Sequence, residues 1–405
     1  MSASLRVPTA PHRAAPRTTP PSSPGAATAL LDAYRPGTDR FLASSRRTLL
    51  ASGVAAEVPD DSRSLTTRVR EVLAARRRAG DPAPIVVGAL PFTPGAPHSL
   101  AVPQSVRRTS ALCEDPLIAL PGPSAEPGTW QTREVPEAGA YTAAVAAAVR
   151  RMRAGEFDKV VLARTLELTS SHELDLPGML RRLAQHDPKG YTFAVPSGPG
   201  RTLIGASPEL LVARAGNVLT ANPLAGSAPR SEDLAEDVRR AAALLESPKD
   251  LHEHAVVVAA VREALAPFCV SLDVPERPTL VRTAAMWHLS TTVTGTLTNP
   301  ATSSLDLASA LHPTPAVCGT PTDTARAVIA ESEPFDRGAY TGMVGWQDAD
   351  GDGEWVVTIR CAEAEGRSLR LFAGAGVVAA SSPEAETAET AAKFRTFLSA
   401  VGATL

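Results

Sequence analysis

An α+β fold of antiparallel/mixed sheets with helices packed outside is predicted by three features of this sequence. Short extended runs separated by Gly, Pro and Asn turns follow one another from Tyr191 to Ser227 and again from Met286 to Val378. The helical stretches are grouped between these runs and do not alternate with them one for one, which argues against a doubly wound parallel sheet. The phosphate-binding motif G-x-x-x-x-G-K-[ST] is absent, and "GAGVVA" at Gly374 lacks the third glycine of a dinucleotide fingerprint.

Taken in order, the first residues are rich in Pro, Ser, Thr, Ala and Arg and free of acids until Asp32, so residues 1–30 are expected to be a disordered N-terminal tail. The Arg- and Ser-rich texture is also that of a transit peptide, whereas the apolar core of a signal peptide is missing. Residues 31–140 are expected to be the N-terminal part of the same fold, with a helix at "SLTTRVREVLAARRRAG" and a strand at "PIVVGAL". From Tyr141 onward the texture changes. There "YTAAVAAAVRRMRAG" reads as a helix running into "EFDKVVLARTLELT", a covered strand apolar on both faces. An antiparallel meander over "YTFAVPSGPGRTLIGASPELLVARAGNVLTANPLAGS" precedes two helices between Asp233 and Ala266. Strands follow at "MWHLSTTVTGTL", "TGMVGWQD", "EWVVTIRCA" and "SLRLFAGAGVV", and a last helix runs from Pro383 to about Val401. "DADGDGEW" from Asp348 has the opening of a calcium loop, but the twelfth position is Ile359, so a hairpin turn is expected.

At 405 residues and 44% hydrophobic, the chain can build one large or two ordinary domains around a core of its own. Its 40 basic and 43 acidic residues leave a net charge of -3, which provides no global field for nucleic acid or an anionic membrane. Cys113, Cys269, Cys318 and Cys361 form no C-x-x-C pair, consistent with a reducing, cytoplasmic setting. No apolar run approaches the roughly 20 residues of a membrane helix. A monomer is expected.

In "KDLHEHAVVVAAVREAL", His252 and His254 are two apart and point to different sides of a helix, so they do not form a zinc pair. Glu253 aligns with Val257, Ala260 and Ala264 on a stripe that should be buried; it is either a helix-start carboxylate in water or a group built for a task. Lys159 shares a strand face with Phe157, Val161 and Ala163. It either snorkels to water or is desolvated into a usable general base. Glu209 in "GASPELL" is a turn glutamate or a buried, protonated acid. Glu386, Glu389 and Lys393 fall on one side of the last helix, as a surface ion pair or as part of a hard-cation site completed by Glu253. Arg360, read as embedded in an apolar strand, needs a carboxylate from the protein or from a substrate. Gly374 and Gly376 suggest close backbone approach.

The ordered segments "FDKVVLART", "GASPELL", "PLAGS", "KDLHEH", "WHLSTTVTG", "LHPTPAVCGTP", "GEWVVTIRCA", "LFAGAGVV" and "SSPEAETAETAAK" resemble the chorismate-utilising enzymes from about Tyr141 to Val401. Those enzymes are the isochorismate, salicylate, anthranilate and aminodeoxychorismate synthases. The resemblance implies an anthranilate synthase component I-like fold, with the active site in a deep central cleft, and a chorismate-binding catalytic region over 141–404. "HPTPAVCG" and "GEWVVTIRCA" are most similar to siderophore-type isochorismate synthases, which supply 2,3-dihydroxybenzoate. Menaquinone is the other destination this implies for the product, and an isochorismatase a possible downstream partner.

The roles implied are Lys159 as general base, Glu209 as general acid and His288 near the leaving group. Glu253 and Glu389, supported by Glu386, would bind Mg2+. Arg360 and Lys393, with backbone near Gly374, would hold the enolpyruvyl carboxylate, while Gly226, Ala316 and Val317 would line the substrate pocket. A salicylate synthase is the second reading, because a threonine stands near the position of Ala316 in those enzymes. An ammonia-using large subunit awaiting a glutaminase partner is the third, although no amidotransferase domain is appended.

Overall fold

Burial of both faces of the Lys159–Ser170 strand reflects the layered architecture of this computed structural model, which describes residues 23–120 and 129–402. Val160 and Leu162 pack against helices Ala138–Arg153 and Thr322–Ser332, whereas Ala163 joins a core with residues of a second sheet. Successive strand side chains point to opposite faces, so one strand serves both an outer helical layer and an inter-sheet core.

The first sheet has ten strands, ordered Gly319–Thr320, Lys159–Ser170, Ser368–Val378, Cys361–Glu365, Arg201–Ser207, Tyr191–Gly198, Asp39–Ala43, Thr48–Ser52 and Ser105–Thr109, with Trp130–Val135 also on Lys159–Ser170. The second has nine, ordered Cys269–Asp273, Val293–Leu297, Val218–Asn222, Leu210–Ala215, Gly353–Val357, Met343–Asp348, Ile85–Leu90, Ala101–Val102 and Ala56–Glu57. A three-stranded sheet joins Leu224–Pro229, Met286–Ser290 and Thr279–Arg282. Every described ladder is antiparallel, so the mixed alternative is not realised. Phe193, Leu203 and Phe372 of the first sheet meet Ala89, Val344 and Val356 of the second between the layers. Helices cover the outer faces, Leu176–His186 and Pro383–Val401 on the first sheet and Ser304–Leu311 with Leu65–Arg78 on the second.

The helix starts follow their caps. Ser64, Asp233 and Ser247 each accept a backbone N–H of the first turn, and Pro248 stands at the first position of Pro248–Leu265. The "DADGDG" segment is the turn joining Met343–Asp348 to Gly353–Val357, with Asp348 Oδ1 accepting from the N–H groups of Asp350 and Asp352.

Three expectations need correction. Of the tail expected over residues 1–30, residues 1–22 lie outside the described residues, and Ala26–Asp32 is a helix whose Ala27, Leu30 and Leu31 are in the core. Asp115, 87 residues away from Thr28, accepts from Gly25 and Thr28 N–H and anchors the start of this helix. "MWHLSTTVTGTL" forms two strands, Met286–Ser290 and Val293–Leu297, in different sheets. "GEWVVTIRCA" likewise ends one strand at Val357 in the second sheet and starts another at Cys361 in the first. Arg360 therefore lies in the crossing and not within a strand, with φ at +51°.

Candidate active site

Two crossings between the first and second sheets frame a cleft. Glu209 sits where the chain leaves Arg201–Ser207 of the first sheet for Leu210–Ala215 of the second, and Arg360 sits where it returns. The helix Pro248–Leu265 adds Asp250 and Glu253, and Pro383–Val401 adds Glu389 and Lys393. Gly226, His288, Ala316, Val317 and Gly374 also line the cleft, so most of the residues singled out in the sequence converge there. Lys159 and Glu386 are exceptions: each lies one contact behind the surface, bonded to a residue that lines it.

The three carboxylates assigned to a cation are each paired with a lysine. Lys159 Nζ donates to Glu253 Oε1 at 2.8 Å, Lys249 Nζ to Glu386 Oε1 at 2.8 Å, and Lys393 Nζ to Glu389 Oε1 at 2.7 Å. Lys159 is 1% exposed, so its head does not snorkel to water. Its pairing with Glu253 was not anticipated; in a buried setting opposite charges at contact distance bind strongly, and these residues are 94 apart in sequence. Among the described residues no three His, Cys, Asp or Glu side chains are grouped so as to hold an ion.

The donor chemistry nonetheless fits a hard divalent cation. Burial and the charge of Glu389 push the Glu386 carboxyl up. Burial, with the charges of Glu253 and Glu389 adding to it, does the same to Asp250. Partial burial acts to raise the Glu389 carboxyl, but Lys393 and the Ser227 hydroxyl, which donates at 3.1 Å, bring it below the ordinary range. Crowded acidic groups of this kind are what a divalent ion would relieve.

Opposite this charged wall, burial pushes Glu209 up to about 8 against weaker opposing effects from the Leu224 N–H and Lys159. This shift favours the protonated carboxyl near neutral pH, the state a proton donor needs. Arg360 is buried, and among the described residues no carboxylate lies within ion-pair distance of its guanidinium. Its Nη2 lies 3.3 Å from His288 Nε2. A guanidinium has no acceptor, so Nε2 accepts and the proton of the neutral imidazole is on Nδ1. Burial first, then the charges of Arg360 and Lys393, hold His288 well below its ordinary value and keep it neutral.

The glycines make room for these groups. A Cβ on Gly376 would stand 2.3 Å from Glu253 Oε1 and 3.2 Å from Lys159 Cε. One on Gly374 would meet the Tyr340 hydroxyl at 2.8 Å, and the Gly374 carbonyl accepts from Lys393 Nζ at 2.7 Å. Gly226 has φ at +78° and faces Asp250. Sequence reasoning missed Asp250, Lys249, Ser227 and Tyr340. Asp250 lies three residues before Glu253 on one helical face, a spacing that could have disclosed it. His254, by contrast, is a satisfied core histidine, its ring nitrogens 3.2 Å from Ala225 O and 2.7 Å from Thr291 Oγ1.

A family model described as "Chorismate binding enzyme" matches residues 104–402, and the chain belongs to this family of chorismate-binding enzymes. It is 52% identical over 385 residues to isochorismate synthase DhbC of Bacillus subtilis, covering 92% of this chain and 96% of that one. It is 41% identical to the vibriobactin-specific isochorismate synthase of Vibrio cholerae, covering 92% of this chain and 94% of that one. Among solved structures, a putative 2,3-dihydroxybenzoate-specific isochorismate synthase from Bacillus anthracis superposes with a TM-score of 0.88 at 50% identity, over 93% of this chain and 100% of that one. Anthranilate synthase component I of Streptococcus pneumoniae, at 21% identity and a TM-score of 0.70 over 88% of this chain and 92% of that one, shares the fold.

Proposed function

We propose that this protein is an isochorismate synthase, an isomerase that moves a hydroxyl between two ring carbons of chorismate. The observation that carries the reading is a buried Glu209 carboxyl in the same cleft as the Arg360 guanidinium, which has no ion-pair partner among the described residues. Chorismate is a dicarboxylate with a leaving hydroxyl. It needs an acid at that hydroxyl and a cation for each carboxylate. The names of the relatives, siderophore-type among them, agree with this chemistry.

In this reading water adds at ring carbon 2, the diene shifts, and the hydroxyl at carbon 4 leaves as water, so substrate and product are isomers. Lys159 takes the proton of the attacking water as the free amine, released from the ion pair with Glu253 seen here. Glu209 gives its proton to the departing hydroxyl. Arg360 and Lys393 hold the enolpyruvyl carboxylate, with His288 fixing the plane of the guanidinium through its accepting Nε2. Gly226, Ala316, Val317 and Gly374 shape the walls around the ring and its side chain. Glu253 and Glu389, with Glu386 in support, would hold Mg2+, which supplies Lewis-acid polarisation of the ring carboxylate when bound.

The product would feed a 2,3-dihydroxybenzoate or siderophore route, with menaquinone as the other destination, in the cytoplasm. The test is to incubate the protein with chorismate and Mg2+, with and without chelator, separating products by chromatography and measuring free pyruvate. Chelator-sensitive isochorismate without pyruvate is expected. Salicylate with one pyruvate per turnover would overturn the isomerase in favour of a lyase, and an aminated product dependent on ammonium would overturn both.

A further inference from the structure

Arg337 lines no part of the cleft, yet its guanidinium holds together three segments that do. It donates to the Val161 carbonyl at 2.7 Å, the Val317 carbonyl at 2.9 Å, the Thr341 hydroxyl at 3.1 Å, and both carboxylate oxygens of Glu333 at 2.6 and 2.8 Å. All five guanidinium N–H groups are thereby used. Glu333 extends the clamp by accepting from the Ala163 N–H at 2.8 Å, and the ring of Phe92 lies 4.6 Å from the guanidinium carbon. The ion pair is 3% and 2% exposed and sits beneath the wall.

We infer that Arg337, with Glu333, is a positioning residue that decides what leaves the site as well as how fast. This inference rests on the proposed function and deepens it. Val161 is two residues beyond Lys159 on the same strand, and Val317 is next to Ala316 in the wall beside the substrate. Thr341 has φ at +55°, a backbone conformation a β-branched residue keeps only when its surroundings enforce it. One planar fork thus sets the distance between the strand carrying the base and the wall that confines the enolpyruvyl group. A lysine has one compact head and cannot reproduce five directed bonds.

Loosening the wall has a defined chemical outlet. In isochorismate the enolpyruvyl ether C–O bond can break as hydrogen moves from the ring carbon bearing the new hydroxyl to the enolpyruvyl methylene carbon. The ring becomes aromatic, and salicylate and pyruvate together contain all the atoms of the isomer. No oxidant, reductant or further reactant is needed.

The experiment compares wild type, Arg337→Lys and Glu333→Gln for kcat, KM, thermal midpoint and pyruvate released per isochorismate formed. In Arg337→Lys, kcat is expected to fall about 100-fold with a smaller change in KM, the scale of a roughly 1 Å misplacement, and pyruvate per isochorismate is expected to rise several-fold. Glu333→Gln keeps the volume and one acceptor, and should move the same ratio in the same direction should the lysine variant not fold. A lowered midpoint with unchanged kcat and product ratio in the variants that fold would reduce the pair to structural support and overturn the inference. Absence of isochorismate from wild type would instead overturn the functional reading beneath it.

Discussion

Glu209 shows how one residue acquires its environment from its place in the backbone. The sequence placed it after a proline and before two leucines, which left a solvated turn and a buried acid as alternatives; the crossing between sheets decides for burial. Its raised value predicts an alkaline limb in the pH profile. In the proposed mechanism the acid form is required, so the contribution of Glu209 should be lost as pH rises through about 8. Glu209→Gln should lower kcat by about 10²- to 10⁴-fold and remove that limb; a limb left unmoved would assign it to another group. Arg360 was less legible. Its positive φ follows from the return crossing, and nothing in "WVVTIRCA" marks where one strand ends and the next begins. Ala316→Thr, placing a hydroxyl in the cleft wall, should shift product toward salicylate and pyruvate, as product separation would reveal.

At the scale of elements, helices were more legible than strands because their ends are specified locally. Ser382 accepts from the N–H of Ala385, and Pro383 opens the last helix, so both the helix and the common side of Glu386, Glu389 and Lys393 could be read from a dozen residues. What joins that helix to the rest could not. Lys249 and Glu386 are 137 residues apart, and the strand at Ser368–Val378 between the site's charges is shaped by glycines whose purpose appears only in three dimensions. Gly376→Ala tests this. The added methyl must displace Glu253 from Lys159, so turnover is expected to fall about 100-fold or more while circular dichroism stays that of the wild type. Normal turnover would mean that the pair moves aside without consequence for catalysis.

The molecule as a whole was legible in class and in its second part, and obscure in its first. Strands such as Asp39–Ala43 and Ile85–Leu90 take their partners from far along the chain, Phe41 opposite Ala194 and Val86 opposite Gln347, so no local pattern identifies their place. Their contribution is to extend both sheets. At this scale the expected response to Mg2+ has two readouts. Chelation should abolish turnover, and Mg2+ at 100 times its dissociation constant should stabilise the folded state by about 2.7 kcal/mol, seen as a raised thermal midpoint. Glu253→Gln with Glu389→Gln should lose both effects, and a midpoint that still responds to Mg2+ in that double variant would place the ion elsewhere.

The three lysine–glutamate pairs have a consequence for the life history of the protein. Neighbouring carboxylates shielded from water repel one another, and in small metal domains that repulsion makes assembly depend on the ion. Here each of the three has its own counter-charge supplied by the chain. On the proposed Mg2+ dependence, these counter-charges would let the polypeptide keep its architecture without the ion and acquire its chemistry on binding it.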